Sequence, residues 1–252
     1  MDLSGITVVL PALDEAAALP AALASFPAGV HLLVVDNGSS DGTAAVAAAA
    51  GARVVTEPRR GFGAACWAGV QAAPGAEVVV FADADGSFDG ADLIRVAGPV
   101  LCGQADLVVG SRTVGAREPG AMTPLAMLTN RTLGLACRLL FGVPLSDLGP
   151  FRAIRRDTLL ALGVRDRGQG WPLEMIGRAG QAGLRVVEVP VRYRPRAGGA
   201  SKVSGSLRGS LRATAAMAAV TCRLLAERSR NSVRAAAARR PAAATRFRGA
   251  GR

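Results

Sequence analysis

A chain of 252 residues, half of them hydrophobic and only 4% aromatic, suits one large α/β domain packed through small side chains. Its four cysteines lie far apart and His31 is its single histidine, which argues against a disulfide framework or a zinc site and for a reducing, cytoplasmic setting. The net charge of +11 is uneven: residues 223–252 hold nine arginines and one acid, leaving +3 for residues 1–222, so the body of the chain does not read as a nucleic-acid binder.

Ile6 to Leu10 reads as a first strand, and Pro11 to Glu15 as the turn into a helix reaching about Phe26. Val30 to Val35 forms a second strand that ends at Asp36-Asn37-Gly38, followed by an Ala-rich helix to Ala50 and a third strand from Arg53 to Thr56. Gly61-Phe62-Gly63 opens a helix running to about Ala72. The fourth strand, Val78-Val79-Val80-Phe81, is apolar throughout, as a strand buried on both faces requires. Two carboxylates, Asp83 and Asp85, follow at its carboxyl end. A helix from Ala91 to Leu101 and a strand from Leu107 to Val109 continue the alternation, which predicts a mostly parallel sheet with helices on both faces.

Past Ser111 the spacing predicts a long helix from Met122 to Phe141, a short strand from Phe151 to Ile154, a helix from Leu173 to Ala182 and a strand from Leu184 to Val189. Residues 194–205 are basic and rich in Gly and Ser, which predicts a loop. A helical segment follows from Leu207 to Ala238. The expected organisation is a domain over residues 1–205, a basic helical extension over 206–238 and a disordered tail over 239–252. The amino terminus lacks a basic segment followed by an apolar core, and no apolar run is long enough for a span, so neither a signal peptide nor a transmembrane helix is expected.

A D-x-D pair at a strand exit projects hard oxygen ligands into the crevice where open α/β sheets bind ligands. Glu15 and Asp36 lie at two other strand exits, so three acids converge on one sheet edge, where they can accept from ribose hydroxyls or a base N–H. Taken singly, Asp36 suits a plain turn and Asp83 and Asp85 suit a strand terminus. A dinucleotide-binding reading fails because the turn from Pro11 to Glu15 contains no glycine, and no Walker-type loop is present.

In this order, Val8-Val9-Leu10-Pro11-Ala12-Leu13-Asp14-Glu15, Val34-Val35-Asp36-Asn37-Gly38-Ser39-Ser40-Asp41-Gly42-Thr43, Gly61-Phe62-Gly63-Ala64-Ala65 and Ala82-Asp83-Ala84-Asp85 resemble family 2 glycosyltransferases, whose nucleotide-sugar-binding fold is called GT-A. Gly110-Ser111-Arg112, Asp147-Leu148-Gly149-Pro150-Phe151-Arg152 and Arg196-Ala197-Gly198-Gly199-Ala200-Ser201-Lys202 resemble the polyprenyl-phosphate sugar synthase branch of that family. The resemblance covers about residues 5–205.

It implies a metal-dependent, inverting transfer from a nucleotide diphosphate sugar to a polyprenyl phosphate. Pro11, Leu13, Glu15, Asp36, Gly61, Asp83 and Ala84 would bind the donor, and Asp83 and Asp85 would hold Mg²⁺ or Mn²⁺. Arg112, Arg131, Arg196 and Lys202 would line the donor and acceptor phosphates. Asp14 departs from the family's usual Asn, and Ser87 stands where some members place a Gln near the metal.

A phosphate acceptor is largely dianionic at neutral pH, its second pKa being ~6, and needs orientation more than a base. A hydroxyl acceptor needs a carboxylate base, for which Asp147, Asp166 and Glu174 are candidates. Asp147 equally suits a residue that orders a turn. Trp171 and Glu174 read as acceptor-pocket residues, or else as a core aromatic and an acid favoured by a helix dipole. On the C-terminal helix, Arg208, Arg212, Arg223, Arg230 and Arg234 share one face, with Met217, Val220, Leu224 and Leu225 on others. Such a helix suits peripheral attachment to an anionic membrane surface, or docking on the body with a solvated Arg face. The competing functions are transfer to a soluble acceptor, as in glucosyl-phosphoglycerate synthases, and a basic adaptor without activity.

Overall fold

The computed structural model describes residues 2–198 and 207–238. At its centre β1 (Ile6–Ala12), β2 (His31–Asp36), β3 (Arg53–Thr56) and β4 (Val78–Phe81) run parallel. They are joined by α1 (Leu19–Ala24), α2 (Thr43–Ala49) and α3 (Phe62–Ala72). Then come α4 (Leu93–Leu101), β5 (Leu107–Ser111), α5 (Pro124–Phe141), β6 (Arg152–Arg155), α6 (Arg156–Leu162), α7 (Trp171–Gln181), β7 (Val186–Pro190) and α8 (Leu207–Ala238). Only α6 has no counterpart in the sequence reading.

The seven strands are ordered β3-β2-β1-β4-β6-β5-β7. β6 runs antiparallel between β4 and β5, whereas β7 is parallel to β5. The reversal has a functional consequence. Arg152 at the start of β6 pairs with Phe81 at the end of β4 and with Val109 in β5. Residues 147–152 therefore arrive at the same carboxyl edge as the exits of β1, β2 and β4. Parallel β7 delivers residues 191–196 there as well.

Each β4 side chain is buried, and the pleat sends alternate residues to opposite layers. Val79 and Phe81 join the layer built with α3, α5, α7 and α8, and Val78 and Val80 join the layer built with α1 and α4. Small residues set the layer spacing: a Cβ on Gly69 of α3 would collide with the Val9 side chain of β1.

α8, the expected C-terminal helix, docks on this core. Its Val220 and Leu224 are fully buried, and Met217 packs against the same cluster. Leu224 and Met217 are therefore not available for insertion into lipid, and of the two expectations for this helix they follow docking on the body. Of its expected basic face, Arg223 pairs with Glu174 of α7 at 2.9 Å, while Arg212 and Arg230 are exposed. No helix among the described residues is long and apolar enough to cross a membrane.

Candidate active site

The loops at the carboxyl edge are held by their own polar side chains. Asp14 adopts a positive φ of 51°, and its carboxylate accepts from the Ser40 N–H at 2.7 Å. The Ser39 hydroxyl accepts from the Asp14 N–H, and the Thr43 hydroxyl from the Glu15 N–H, both at 2.9 Å. These bonds stitch the β1 exit to the β2 exit. Asn37 ties in the next loop by donating to the Glu57 and Arg59 carbonyls and accepting from the Gly61 N–H, each at 2.8 Å.

A cavity of about 350 Å³ opens over this edge. Pro11, Leu13 and Glu15 reach it from β1, Asp83, Ala84 and Asp85 from β4, Arg112 from β5, and Arg196 from the segment after β7. The structure thus brings together eight of the residues singled out from the sequence. Another cavity, about 480 Å³, lies at the amino edge of the sheet beside Thr7, His31 and Arg53, away from all these acids.

Asp85 is buried, and three hydrogen bonds leave its Oδ2 one further acceptor site. Its Oδ1 accepts from the Ser87 N–H at 2.9 Å and hydroxyl at 2.5 Å, and its Oδ2 accepts from Arg196 Nε at 2.8 Å. Ser87 therefore steadies Asp85 from behind. Gly86 (φ +72°) lets Ala197 pack against this turn, where the Ala197 N–H donates to the Asp85 carbonyl at 3.1 Å. Arg192 and Arg194 both reach Asp89, at 2.9 and 2.8 Å, which fixes the segment carrying Arg196. Arg196 also approaches Glu15 Oε1 at 3.4 Å.

Burial first, and then the charge of Asp85, push the Asp83 carboxyl from 3.8 up to about 7 against the opposing pull of Arg112, Arg196 and Arg152. Two carboxylates that repel in a partly desolvated crevice form a donor set suited to Mg²⁺ or Mn²⁺. Among the described residues no group of three or more His, Cys, Asp or Glu is placed to hold an ion. Two protein ligands suffice for a cation that completes its shell with diphosphate and water. The residues present fit the metal.

Arg112 is fixed by Asp147. Its Nε and Nη2 donate to the two carboxylate oxygens at 2.8 and 2.7 Å, and its backbone N–H donates to the same group at 2.8 Å. Burial opposes its charge, but the bidentate pair outweighs that and raises its pKa above the ordinary guanidinium range. Its guanidinium also lies 5.3 Å from the centre of the Tyr193 ring. Glu188 of β7 in turn accepts from the Ser146 and Asp147 N–H groups at 3.1 and 3.0 Å. Asp147 is fully buried behind this pair, so it holds an arginine and is not placed as a base.

Several other expectations are corrected. Trp171 is buried in the core, edge-on to Phe81 with ring centres 6.1 Å apart, and does not line the cavity. Glu174 is fully buried: it takes Arg178 Nε at 2.8 Å and the Arg165 and Asp166 N–H groups at 3.1 and 2.6 Å. Neither is an acceptor-pocket residue, nor is Glu174 placed as a base. Asp166 accepts from the Gly168 and Gly170 N–H groups at 2.8 and 3.1 Å through Oδ1 and does not line the cavity. Arg131 is exposed on α5, and its neighbours Asn130 and Leu133 reach the cavity instead. Asp36 accepts from the Ser39 N–H at 3.0 Å and sits behind Asn37, which lines the cavity; Gly61 gives way there to Phe62. Lys202 lies outside the described residues.

The sequence reading passed over Arg152 as a site residue. It is buried at the cavity floor, donating to the Gly149 and Leu148 carbonyls at 2.6 and 2.9 Å. Burial lowers its pKa to about 10. An arginine opening the short strand Arg152–Arg155 was the available signal. Tyr193 and Gln169, also at the cavity, carried none.

Comparison with known proteins agrees with this geometry. The family described as Glycosyl transferase family 2 matches residues 7–162. An uncharacterised glycosyltransferase of Mycobacterium tuberculosis is 50% identical over 208 residues, covering 82% of this chain and 93% of the relative. The undecaprenyl-phosphate mannosyltransferase of Micrococcus luteus is 32% identical over 81% of this chain and 89% of its own. The polyprenol monophosphomannose synthase of Mycolicibacterium smegmatis is 35% identical over 70% of this chain and 71% of its own. Among solved structures, glucosyl-3-phosphoglycerate synthase from Mycobacterium tuberculosis, in complex with Mn²⁺, UDP and glucosyl-3-phosphoglycerate, superimposes with a TM-score of 0.67 at 27% identity. That match covers 86% of this chain and 79% of the other. With acids at three strand exits of a GT-A-like sheet and a family match over more than half its length, the chain is a glycosyltransferase belonging to family 2, and it resembles the polyprenyl-phosphate sugar synthases within it.

Proposed function

We propose that the protein transfers a sugar from a nucleoside diphosphate donor to a polyprenyl phosphate, with inversion at the anomeric carbon. The observation that carries this reading is the charge pattern of the cavity. Paired acids face three arginines there, and each carboxylate considered as a base instead accepts from an arginine or from backbone N–H groups and stands outside the cavity lining. A hydroxyl acceptor needs its proton removed, whereas a phosphate acceptor arrives largely deprotonated, its second pKa being ~6.

Asp83 and Asp85 would hold the divalent cation, which when bound supplies Lewis-acid neutralisation of the diphosphate. Pro11, Leu13, Glu15 and Asn37 bind the nucleoside end along the exits of β1 and β2. Arg112, held rigid by Asp147, and Arg152 beneath it orient the phosphate oxygens at no reorganisation cost during transfer. Arg196 leaves its ion pairs with Asp85 and Glu15 to engage phosphate when substrates enter. An acceptor phosphate oxygen attacks the anomeric carbon from the face opposite the diphosphate. The bond to the diphosphate oxygen breaks, and the nucleoside diphosphate leaves with the electron pair.

A second reading keeps the donor site and uses a soluble acceptor, because structures similar to this one hold phosphoglyceric acid with UDP-glucose and Mn²⁺. The two separate in one assay: a panel of nucleotide sugars with Mn²⁺, offered a short-chain polyprenyl phosphate or 3-phosphoglycerate. Nucleoside diphosphate release with a lipid-linked product is the expected result. Glycosylation of phosphoglycerate alone would overturn the lipid acceptor.

A further inference from the structure

α5 is apolar on two opposite sides. Gly134, Cys137 and Phe141 face inward and are buried. At about 100° per residue, Leu125, Leu128, Leu135 and Leu139 fall within about 80° of one another on the far side. They are 66%, 60%, 56% and 72% exposed. Half of the large apolar side chains exposed among the described residues thus form a single stripe. Scattered exposed leucines need no explanation, but four aligned on one helix face, with only Thr132 between them, mark a surface that meets a partner.

The surroundings say which partner. Arg131 and Arg138 are exposed on the shoulder of the ridge, and the helix carries no acid. Arg228 of α8 donates to the Leu140 carbonyl at 3.0 Å, which brings that basic helix to the end of α5. A leucine ridge interrupted only by Thr132, on a helix whose only charged side chains are arginines, is complementary to an anionic lipid surface. A symmetric second copy would bring the same arginines without an acid to meet them. Residues 239–252 offer one large apolar side chain, Phe247, among five arginines, too little to cover four leucines.

We propose that α5 is the membrane-docking element of this protein, lying along an anionic leaflet with its leucine stripe at the acyl boundary and Arg131, Arg138 and Arg228 at the level of the phosphates. Its purpose rests on the lipid-acceptor reading. Asn130 and Leu133 of the same helix line the cavity, so cavity and leaflet stand about one helix diameter, roughly 10 Å, apart. A lipid phosphate can enter the cavity while its hydrocarbon chain stays in the membrane.

The test is flotation of the full chain with vesicles of equal phosphatidylglycerol and phosphatidylcholine, and with phosphatidylcholine alone. The wild type floats with the anionic vesicles at low salt. Leu128→Gln/Leu135→Gln loses at least tenfold in partitioning at any salt, and Arg138→Gln loses about fivefold at low salt only. Amide exchange of the wild type slows across residues 125–139 when anionic vesicles are added, a readout independent of any variant's folding. A wild type that ignores anionic vesicles, a double variant that binds as well as the wild type, or a stable dimer that protects α5 in their absence would overturn the proposal. Transfer to a short-chain polyprenyl phosphate in detergent separates the two readings. Transfer in detergent without vesicle binding sinks the docking surface alone, and vesicle binding without transfer leaves docking standing and removes its lipid acceptor.

Discussion

Asp83 and Glu174 are both carboxylates largely withdrawn from water, and they lie in the same domain with opposite environments. Glu174 is surrounded by donors: Arg178, Arg223 and two backbone N–H groups. Asp83 faces a cavity beside a second acid, and its carboxyl is pushed up to about 7. An acid whose partners are supplied by the fold clamps elements together, here α7 to α8. An acid left short of partners is held for a cation that comes from outside. Substitutions at the two centres should therefore fail in different ways, and this divides stability from catalysis.

The largest effect is expected at the open centre. Asp85→Asn removes a full charge from the metal pair and from the Arg196 contact, and should lower turnover about a thousandfold. Its melting temperature should stay close to the wild type, because the residue is spent on loop contacts and not on core packing. Steady-state kinetics with saturating Mn²⁺, beside a thermal melt, check both halves. A variant that melts far below the wild type would place Asp85 with Glu174 and erase the comparison.

At the closed centre the loss should be one of stability. Glu174→Ala takes the buried counter-charge from Arg178, which keeps Glu227 at 3.2 Å, and from the more exposed Arg223, so the loss should fall below the about 3–5 kcal/mol of a fully buried broken pair. Denaturant titration should show the midpoint fall, while KM for the donor in the folded fraction is unchanged. A normal midpoint with a raised KM would return Glu174 to the substrate pocket.

This contrast also explains which parts of the site are legible in the sequence. The parallel half is legible because β1, β2 and β4 are apolar runs that end in Pro, Asp or Gly, and their acids follow in sequence. The other half is not, because its site is assembled by the antiparallel β6. Nothing local in Asp147-Leu148-Gly149 says that it will lie beneath Arg112, 35 residues upstream. Trp171 and Glu174 follow the same logic in reverse: a Trp and an acid at a helix start look alike whether they face a pocket or a core. α8 misleads for a similar reason, since Val220 and Leu224 are buried by α7 and four of the five leucines exposed among the described residues belong to α5.

A smaller effect should appear in the pH dependence of the metal-free protein. Asp83 binds its proton more tightly folded than unfolded, so its contribution to stability is full below about pH 4 and is lost as pH rises through about 7. Asp83→Asn mimics the protonated form and removes this slope. The variant should melt a few degrees above the wild type at pH 8, match it more closely at pH 5, and be inactive at both. Equal pH slopes in chelator-treated wild type and variant would show that Asp83 is already satisfied without metal.

The smallest predicted effect tests how far the open centre extends. Glu188 touches no part of the cavity lining; it accepts from the N–H groups of Ser146 and Asp147, and the Ser146 hydroxyl donates to it at 2.7 Å. Through that turn it sets the angle at which Asp147 grips Arg112. Glu188→Gln keeps the size and one acceptor oxygen but loses the charge, so the turn should loosen without unfolding. Because the effect passes through two contacts before it reaches a phosphate, kcat/KM should fall only about three- to tenfold, or about 0.7–1.4 kcal/mol. The loss should appear mainly in kcat, since a poorly aimed Arg112 still binds ground-state phosphate while serving the transferring geometry less well. Glu188→Asp, which retains the charge on a shorter arm, should recover part of the rate. If Glu188→Gln instead lowers the melting temperature and leaves kcat alone, Glu188 belongs with the structural clamps and the preorganised site ends at Asp147.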